Sequence, residues 1–338
     1  MIELKRNELV FQFPEVHEDA VCRVDFQRTL RIPDDNREYP LPPGLGRFPM
    51  EHVEDHSSRL PMSWNERGGV LLPMFQAEAL WINFSGRTGF RSGPDYPFAV
   101  KIAAGKINAV TGDEWSNGLV KDPQDYVVVP NQPWLDGFYV REGLVRQFVA
   151  MPLGRGYTAE EQISGTAEHG GIQIIVYPMK RDRYEELLKR SARASIADAC
   201  YSVAIPCESA SMGLAPGGVM QQKIYDDEYG YDAWDMTAFS RCFIHILNSS
   251  QWAIATGRPV PGQPPSAADY TKAGLPWFAY YDENLVALTG AKKLAELDSV
   301  AAKGVKLGEK PLPENEAVKP QIIVPLGVGA ANVNDGKW

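Results

Sequence analysis

The chain is poor in the residues that usually announce chemistry. Of 338 residues only four are cysteine (Cys22, Cys200, Cys207 and Cys242) and five are histidine. No C-x-x-C pair occurs, which excludes a thiolate zinc module of the usual spacing, and the cysteines read as reduced structural thiols. Basic charge is scarce as well, with 34 Lys and Arg against 43 Asp and Glu and a net charge of −9. That balance excludes broad binding to nucleic acid or to an anionic membrane surface, both of which need clustered cations. Long apolar runs are missing too. "GGIQIIVYPM" and "PQIIVPLGVGAA" fall well short of the roughly 18–20 residues that span a bilayer, so no membrane insertion is expected. The start, "MIELKRNELVF", places charges where a signal peptide needs an apolar core. The expectation is a cytoplasmic protein.

What is present suits a strand-rich globular protein. Apolar residues make up 44% and charged residues 23%, with 30 Gly and 26 Pro to punctuate the chain. "LVFQF" and "CRVDFQRTLRI" alternate as half-buried strands do. In "YPFAVKIAAGKINAVTG" the Gly105–Lys106 pair offers a turn between two strands. "DYVVVP", "VRQFVAMP" and "GGIQIIVYP" are short runs cut by Pro and Gly, and the near-continuous apolarity of "IQIIVY" predicts a central strand covered on both faces. These segments predict an α+β, β-rich fold: an antiparallel β-sandwich or barrel-like core with a few peripheral helices.

Helical periodicity appears in four places. Met50, Val53 and Leu60 in "PMEHVEDHSSRLP" predict a helix stopped by Pro61. Residues 180–197 carry the stripe Tyr184, Leu187, Leu188 and Ala192, with Glu185/Lys189 and Glu186/Arg190 as i,i+4 pairs on the wet side. Ser266 and Gly274 bracket a third helix, and "GAKKLAELDSVAAKG" predicts a fourth ending at Gly304. A lobe over 1–178 and a mixed lobe over 179–338 are expected, either separate or continuous as one domain. "QIIVPLGVGAANV" supplies a last strand.

The stretch "MPLGRGYTAEEQISGTAEHGG", residues 151–171, looks most like a site. Gly154 and Gly156 lack the lysine and hydroxyl that a phosphate-binding loop needs after its glycines. Thr158 and Glu161 instead fit a capping box, with Glu160 and Glu161 at the positive end of a short helix closed by Gly165. Glu168 and His169 could act as acid or base, since histidine titrates near neutrality; the alternative is a solvated or core-capping pair. In "HVEDH", His52 and His56 have the i,i+4 spacing of a zinc pair, but Asp55 replaces the glutamate that such a motif uses as base. An exposed surface pair is the simpler reading, and no metal and no cofactor are expected.

"YDDEYGYDAWD", residues 225–235, sets Asp226 and Asp232 among Tyr225, Tyr229 and Trp234. Carboxylates beside aromatic platforms suit a glycan cleft, where one acid protonates the leaving group and another serves as base or nucleophile. The competing reading is an acidic turn anchored to the core by its aromatics. Cys207 in "AIPCESASMG", with His169 or His245 as partner, is the best-placed thiol nucleophile. "GLPWFAYYDENL" aligns Trp277, Phe278 and Tyr281 as an interface anchor if exposed and as core if buried.

Four segments, "YPFAVKIAAGKINAVTG", "PQDYVVVPNQPWLDGF", "VRQFVAMPLGRGYTAEEQISG" and "GGIQIIVYPMK", resemble an uncharacterised family of bacterial and filamentous-fungal proteins. Some fungal members of that family carry an added ubiquitin-like domain, of which this chain shows no obvious sign. The likeness covers roughly residues 40–180. It implies shared architecture and assigns no catalytic residues, because no activity is established for the family.

Lacking a complete catalytic motif and carrying aromatic clusters, the sequence points first to a non-enzymatic protein that self-assembles as a homo-oligomer or scaffolds other proteins. Two alternatives stay open on residues 225–235: a glycan-active hydrolase, and a small-molecule or sugar-binding module without turnover.

Overall fold

All seven residues of Ile172–Pro178 are buried, and strands flank this segment on both edges. The sequence predicts this, because an unbroken apolar run cannot turn one face to water. The computed structural model describes residues 1–86, 94–191, 212–280, 285–312 and 315–326. The strands that matter below are, in chain order, β1 (Ile2–Lys5), β2 (Glu8–Gln12), β3 (Val21–Thr29), β4 (Val70–Met74), β5 (Ala79–Ser85), β6 (Phe98–Ala104) and β7 (Val127–Val129). They continue with β8 (Leu144–Pro152), β9 (Ile172–Pro178), β10 (Met212–Gln221), β11 (Ser240–Asn248), β12 (Trp277–Tyr280) and β13 (Ile323–Leu326).

Two strips of sheet follow from the pairings. The first runs β1–β2–β3–β5–β8–β10 and is antiparallel throughout. The second runs β4–β11–β9–β6–β7, antiparallel except where β4 lies parallel to β11. One pair, Met212 with Ile246, joins the strips at a corner. Their apolar side chains enter a single core; Phe13 beyond β2, for instance, meets Phe98 of β6 at 6.0 Å between centroids. The protein is a β-rich α+β fold of sandwich-like form, 37% strand and 19% helix. Strands from both halves of the chain build it, since β10 pairs with β8 and β11 with β4 and β9.

The helices are peripheral and short, and two differ from expectation. Residues 50–60 do not form one helix. Glu51–His52 is a strand pairing with β4, and Glu54–Arg59 is a 3₁₀ helix. Met50 enters the main core, whereas Val53 and Leu60 pack in a satellite cluster with Trp64 and Trp252, so the apolar spacing serves two destinations. Pro61 precedes α1 (Met62–Arg67) as its N-cap residue. The helix expected to end at Gly304 is two, Lys292–Ala295 and Val300–Lys306. Ser299 starts the second by accepting the Ala302 N–H at 3.2 Å, as serine at an N-cap does.

The capping box between β8 and β9 forms as predicted, opening α2 (Ala159–Ile163). In α3 (Arg181–Ser191), Tyr184 packs at 4.2 Å on Tyr96 and edge-on to His17. The exposed ion pairs run backward from those expected, Arg181–Glu185 and Arg183–Glu186, which leaves Lys189 and Arg190 beside the C-terminal carbonyls. Ala192 lies outside the described residues.

Candidate functional site

Residues 151–171 form the crossover from β8 in one strip to β9 in the other. Glu161 accepts N–H groups from Thr158 at 3.1 Å and Gly156 at 2.6 Å. Glu160, only 1% exposed, accepts N–H groups from Glu168 and His169 on Oε1 and from Gly170 on Oε2, all at 2.8–2.9 Å. Gly105 packs against it; a Cβ there would meet Glu160 Oε2 at 2.5 Å, and its φ of +57° suits glycine. The sequence placed Glu160 on the helix dipole but did not reveal that it organises the whole loop. Glu168 offers its backbone to Arg67 Nη2 at 3.2 Å, and burial holds the His169 imidazole below its ordinary pKa.

The acidic-aromatic stretch is anchored from within. Asp227 accepts Tyr126 Oη at 2.7 Å, Trp234 Nε1 at 2.8 Å and the N–H groups of Tyr229 and Gly230. Two buried glutamines bind the backbone of this stretch, and a third, Gln222, ties its start to Trp134 and Asp136. Gln124 accepts from Asp227 N and donates to Tyr225 O. Gln132 accepts from Tyr225 N and donates to Lys223 O. Gln222 accepts from Asp136 N and donates to Trp134 O. Tyr225 and Trp234 are buried and Tyr229 is half-buried, so two of the three candidate platforms are core residues.

Asp226 and Asp232 are exposed. Asp226 turns its carboxylate to the Asp227 N–H, and Asp232 offers its carbonyl to Lys180 Nζ. Neither meets Glu168 or His169. That pair precedes β9, whereas Trp234 bridges to Met179 just beyond its other end. Seven residues at about 3.3 Å each put roughly 20 Å of strand between them, too far for shared chemistry.

The remaining candidates are dispersed. His52 lies on a strand and His56 on the 3₁₀ helix, where its Nε2 is 3.7 Å from Glu51. Among the described residues no group of three or more His, Cys, Asp or Glu is placed to hold a metal ion. Burial pushes the Cys242 thiol up to about 12, which leaves it protonated and a poor nucleophile at neutral pH. Trp277 is fully buried and Phe278 half-buried. Cys207 and Tyr281 lie outside the described residues. Among those residues no helix is long and apolar enough to cross a membrane.

A cleft of about 450 Å³ opens beside Asp226, within the range of small-molecule sites. Its wall carries Asp113, Asp122 and Asp226 together with Lys121, Lys292 and Lys293, and Asp113 is ion-paired with Lys293. Only Asp226 was marked by its sequence neighbours. The others come from segments up to 180 residues apart and share no local pattern. Among protein-family models, curated proteins and solved structures, none matches the chain.

Proposed function

We propose that the protein is a non-catalytic, self-associating protein whose interface with a second copy is nucleated by β13. One observation carries this reading. Ile323, Val324 and Leu326 of β13, and Ile322 just before it, are 38–53% exposed, and the outer edge of the strand has no partner among the described residues. A contiguous apolar strip on an open edge is a liability in a monomer and an asset at an interface.

The strip is held firmly in place. Parallel β12 supports β13, and Phe278 of β12 exchanges two backbone hydrogen bonds with Leu41, at 2.8 and 2.9 Å. Buried Trp277 pins the ribbon from below by donating to Thr271 Oγ1 at 3.2 Å. Trp277, being buried, takes the core reading, and the interface falls instead on the strand that it and Phe278 support.

Trp277 N–H donates to Ile322 O at 2.8 Å. That bond turns the polar groups of Ile322 and Val324 toward β12 and those of Ile323 and Pro325 outward. Pro325 has no N–H to offer, so the free edge resists strand addition and favours association through side chains. A second copy fits, because an isologous contact needs only one self-complementary strip.

Light scattering over a range of concentrations tests this. The wild type should rise above its 37.5 kDa monomer mass, and Val324→Lys should remain monomeric with unchanged melting temperature. A wild type that stays monomeric at every concentration ends the proposal.

The cleft beside Asp226 favours a second reading, a module for a small polar ligand. Thermal stabilisation by a sugar, lost in Asp226→Asn without product release, would support it.

A further inference from the structure

β11 runs past the start of β4. Val70, the first residue of β4, pairs with Ile244, so Arg241–Phe243 have no partner in β4. Gly69 packs on the Phe243 backbone, and beside this stretch a groove of about 210 Å³ opens toward edge strand β1. Its walls are apolar where Ile2, Leu4, Leu9 and Phe243 line it. Arg67 and Arg241 are among its lining residues, in a chain whose net charge is −9.

Arg241 is exposed, makes no ion pair among the described residues, and acts through its charge on Tyr177 of β9. Arg67 lies with its Cζ 5.3 Å from the Phe243 ring centroid and gives Nη2 to Glu168 O, while its buried Nη1 has no hydrogen-bond partner. Glu54 also lines the groove, but neither arginine is ion-paired with it. Apolar surface beside an unsatisfied guanidinium and an unpaired one suits a ligand with an apolar tail and one anionic head. The volume lies below the roughly 300–1,000 Å³ of drug-sized sites, which restricts the ligand to a small one.

We propose that this groove binds a small straight-chain carboxylic acid. The tail lies on Ile2, Leu4 and Leu9, and the carboxylate is taken by Arg241 with Arg67 behind it. Guanidinium is the natural partner here, since its forked donors match a carboxylate.

Calorimetric titration with butanoate, hexanoate and octanoate, with hexanol and hexylammonium as controls, decides the matter. Affinity should rise about fourfold per added methylene until the groove is filled. Hexanoate should bind about tenfold or more tighter than hexanol, and hexylammonium should not bind. Arg241→Gln, at an exposed position, should weaken hexanoate about tenfold at unchanged melting temperature. Ile2→Asp on the edge strand should abolish binding by placing a carboxylate in the tail's path. Absence of saturable binding by all three acids, equal affinity for hexanol, or an unchanged affinity in Arg241→Gln would each overturn the proposal.

Discussion

The indole of Trp64 lies almost parallel to the imidazole of His245, with ring centroids 4.4 Å apart and planes 24° from coplanar. Phe243 stacks on the same imidazole at 4.3 Å, so the histidine is sandwiched between two rings. Nε2 meets Gly68 O at 3.0 Å and so carries the hydrogen, leaving Nδ1 without a partner.

Burial lowers the His245 pKa from 6.5 to about 4. The unfolded chain takes up this proton below about 6.5, whereas the folded protein refuses it until about 4. Stability is therefore full above pH 6.5 and falls toward pH 4, by up to about 3 kcal/mol from this group. His245→Phe should remove that part of the slope. Urea titrations of both proteins between pH 4 and 7 check it, and identical slopes would refute the assignment.

Asp136 carries the opposite sign. Burial raises its carboxyl to about 7, against the pull of the Trp134 Nε1 donor at 2.7 Å. A raised carboxyl contributes stability at low pH that is lost as pH rises through 7. Asp136→Asn keeps an acceptor for the indole and should gain on the wild type with rising pH, by up to about 4 kcal/mol at pH 8. A variant less stable than the wild type at pH 8 would contradict this.

Arg28 and Glu78 form an ion pair whose side chains are both 1% exposed. Glu78 also accepts the Phe75 N–H at 2.9 Å, and Arg28 donates to Gly262 O. Arg28→Met alone leaves a buried carboxylate unpaired and should cost about 3–5 kcal/mol. Adding Glu78→Gln should restore part of that loss. Strict additivity in a double-mutant cycle would show that the pair is not coupled.

In the crossover, Glu160→Ala takes the acceptor from three N–H groups, that of Gly170 buried and those of Glu168 and His169 partly so, and should cost about 2–3 kcal/mol, against about 1 kcal/mol for Thr158→Ala. Hydrogen exchange at Glu168, His169 and Gly170 should quicken in the first variant and not in the second.

The two aspartates of the acidic stretch should part company. Asp227→Ala removes the acceptor for Tyr126, Trp234 and two N–H groups and should cost about 2–4 kcal/mol. Asp232→Ala, at an exposed position, should lie within about 0.5 kcal/mol of the wild type. Equal effects in thermal unfolding would mean that Asp227 is not the anchor described.

What the sequence disclosed was local. The capping box of Thr158 and Glu161, the Gly105–Lys106 turn and the buried run of β9 each depend on residues within a few positions, and each is found. The helix over 50–60 failed because Met50 and Val53 pack into different clusters, a tertiary choice that periodicity does not record. Asp227 looked like its neighbours Asp226 and Glu228, since its partner Tyr126 lies 101 residues away. The cleft was hidden for the same reason, because Asp113 and Lys293 meet only in the folded chain.

Surface connections usually tolerate insertion and deletion. The segment 222–227 should not, because Gln124 and Gln132 address its backbone group by group, as a neighbouring strand would, while its own Gln222 reaches back to Trp134 and Asp136. Adding or removing one residue would misalign all three glutamines at once and leave their buried amides unmatched. In this protein a stretch that looks like a free acidic loop is held to a fixed length, and variation among related chains should appear there as substitution of side chains, never as a change in residue count.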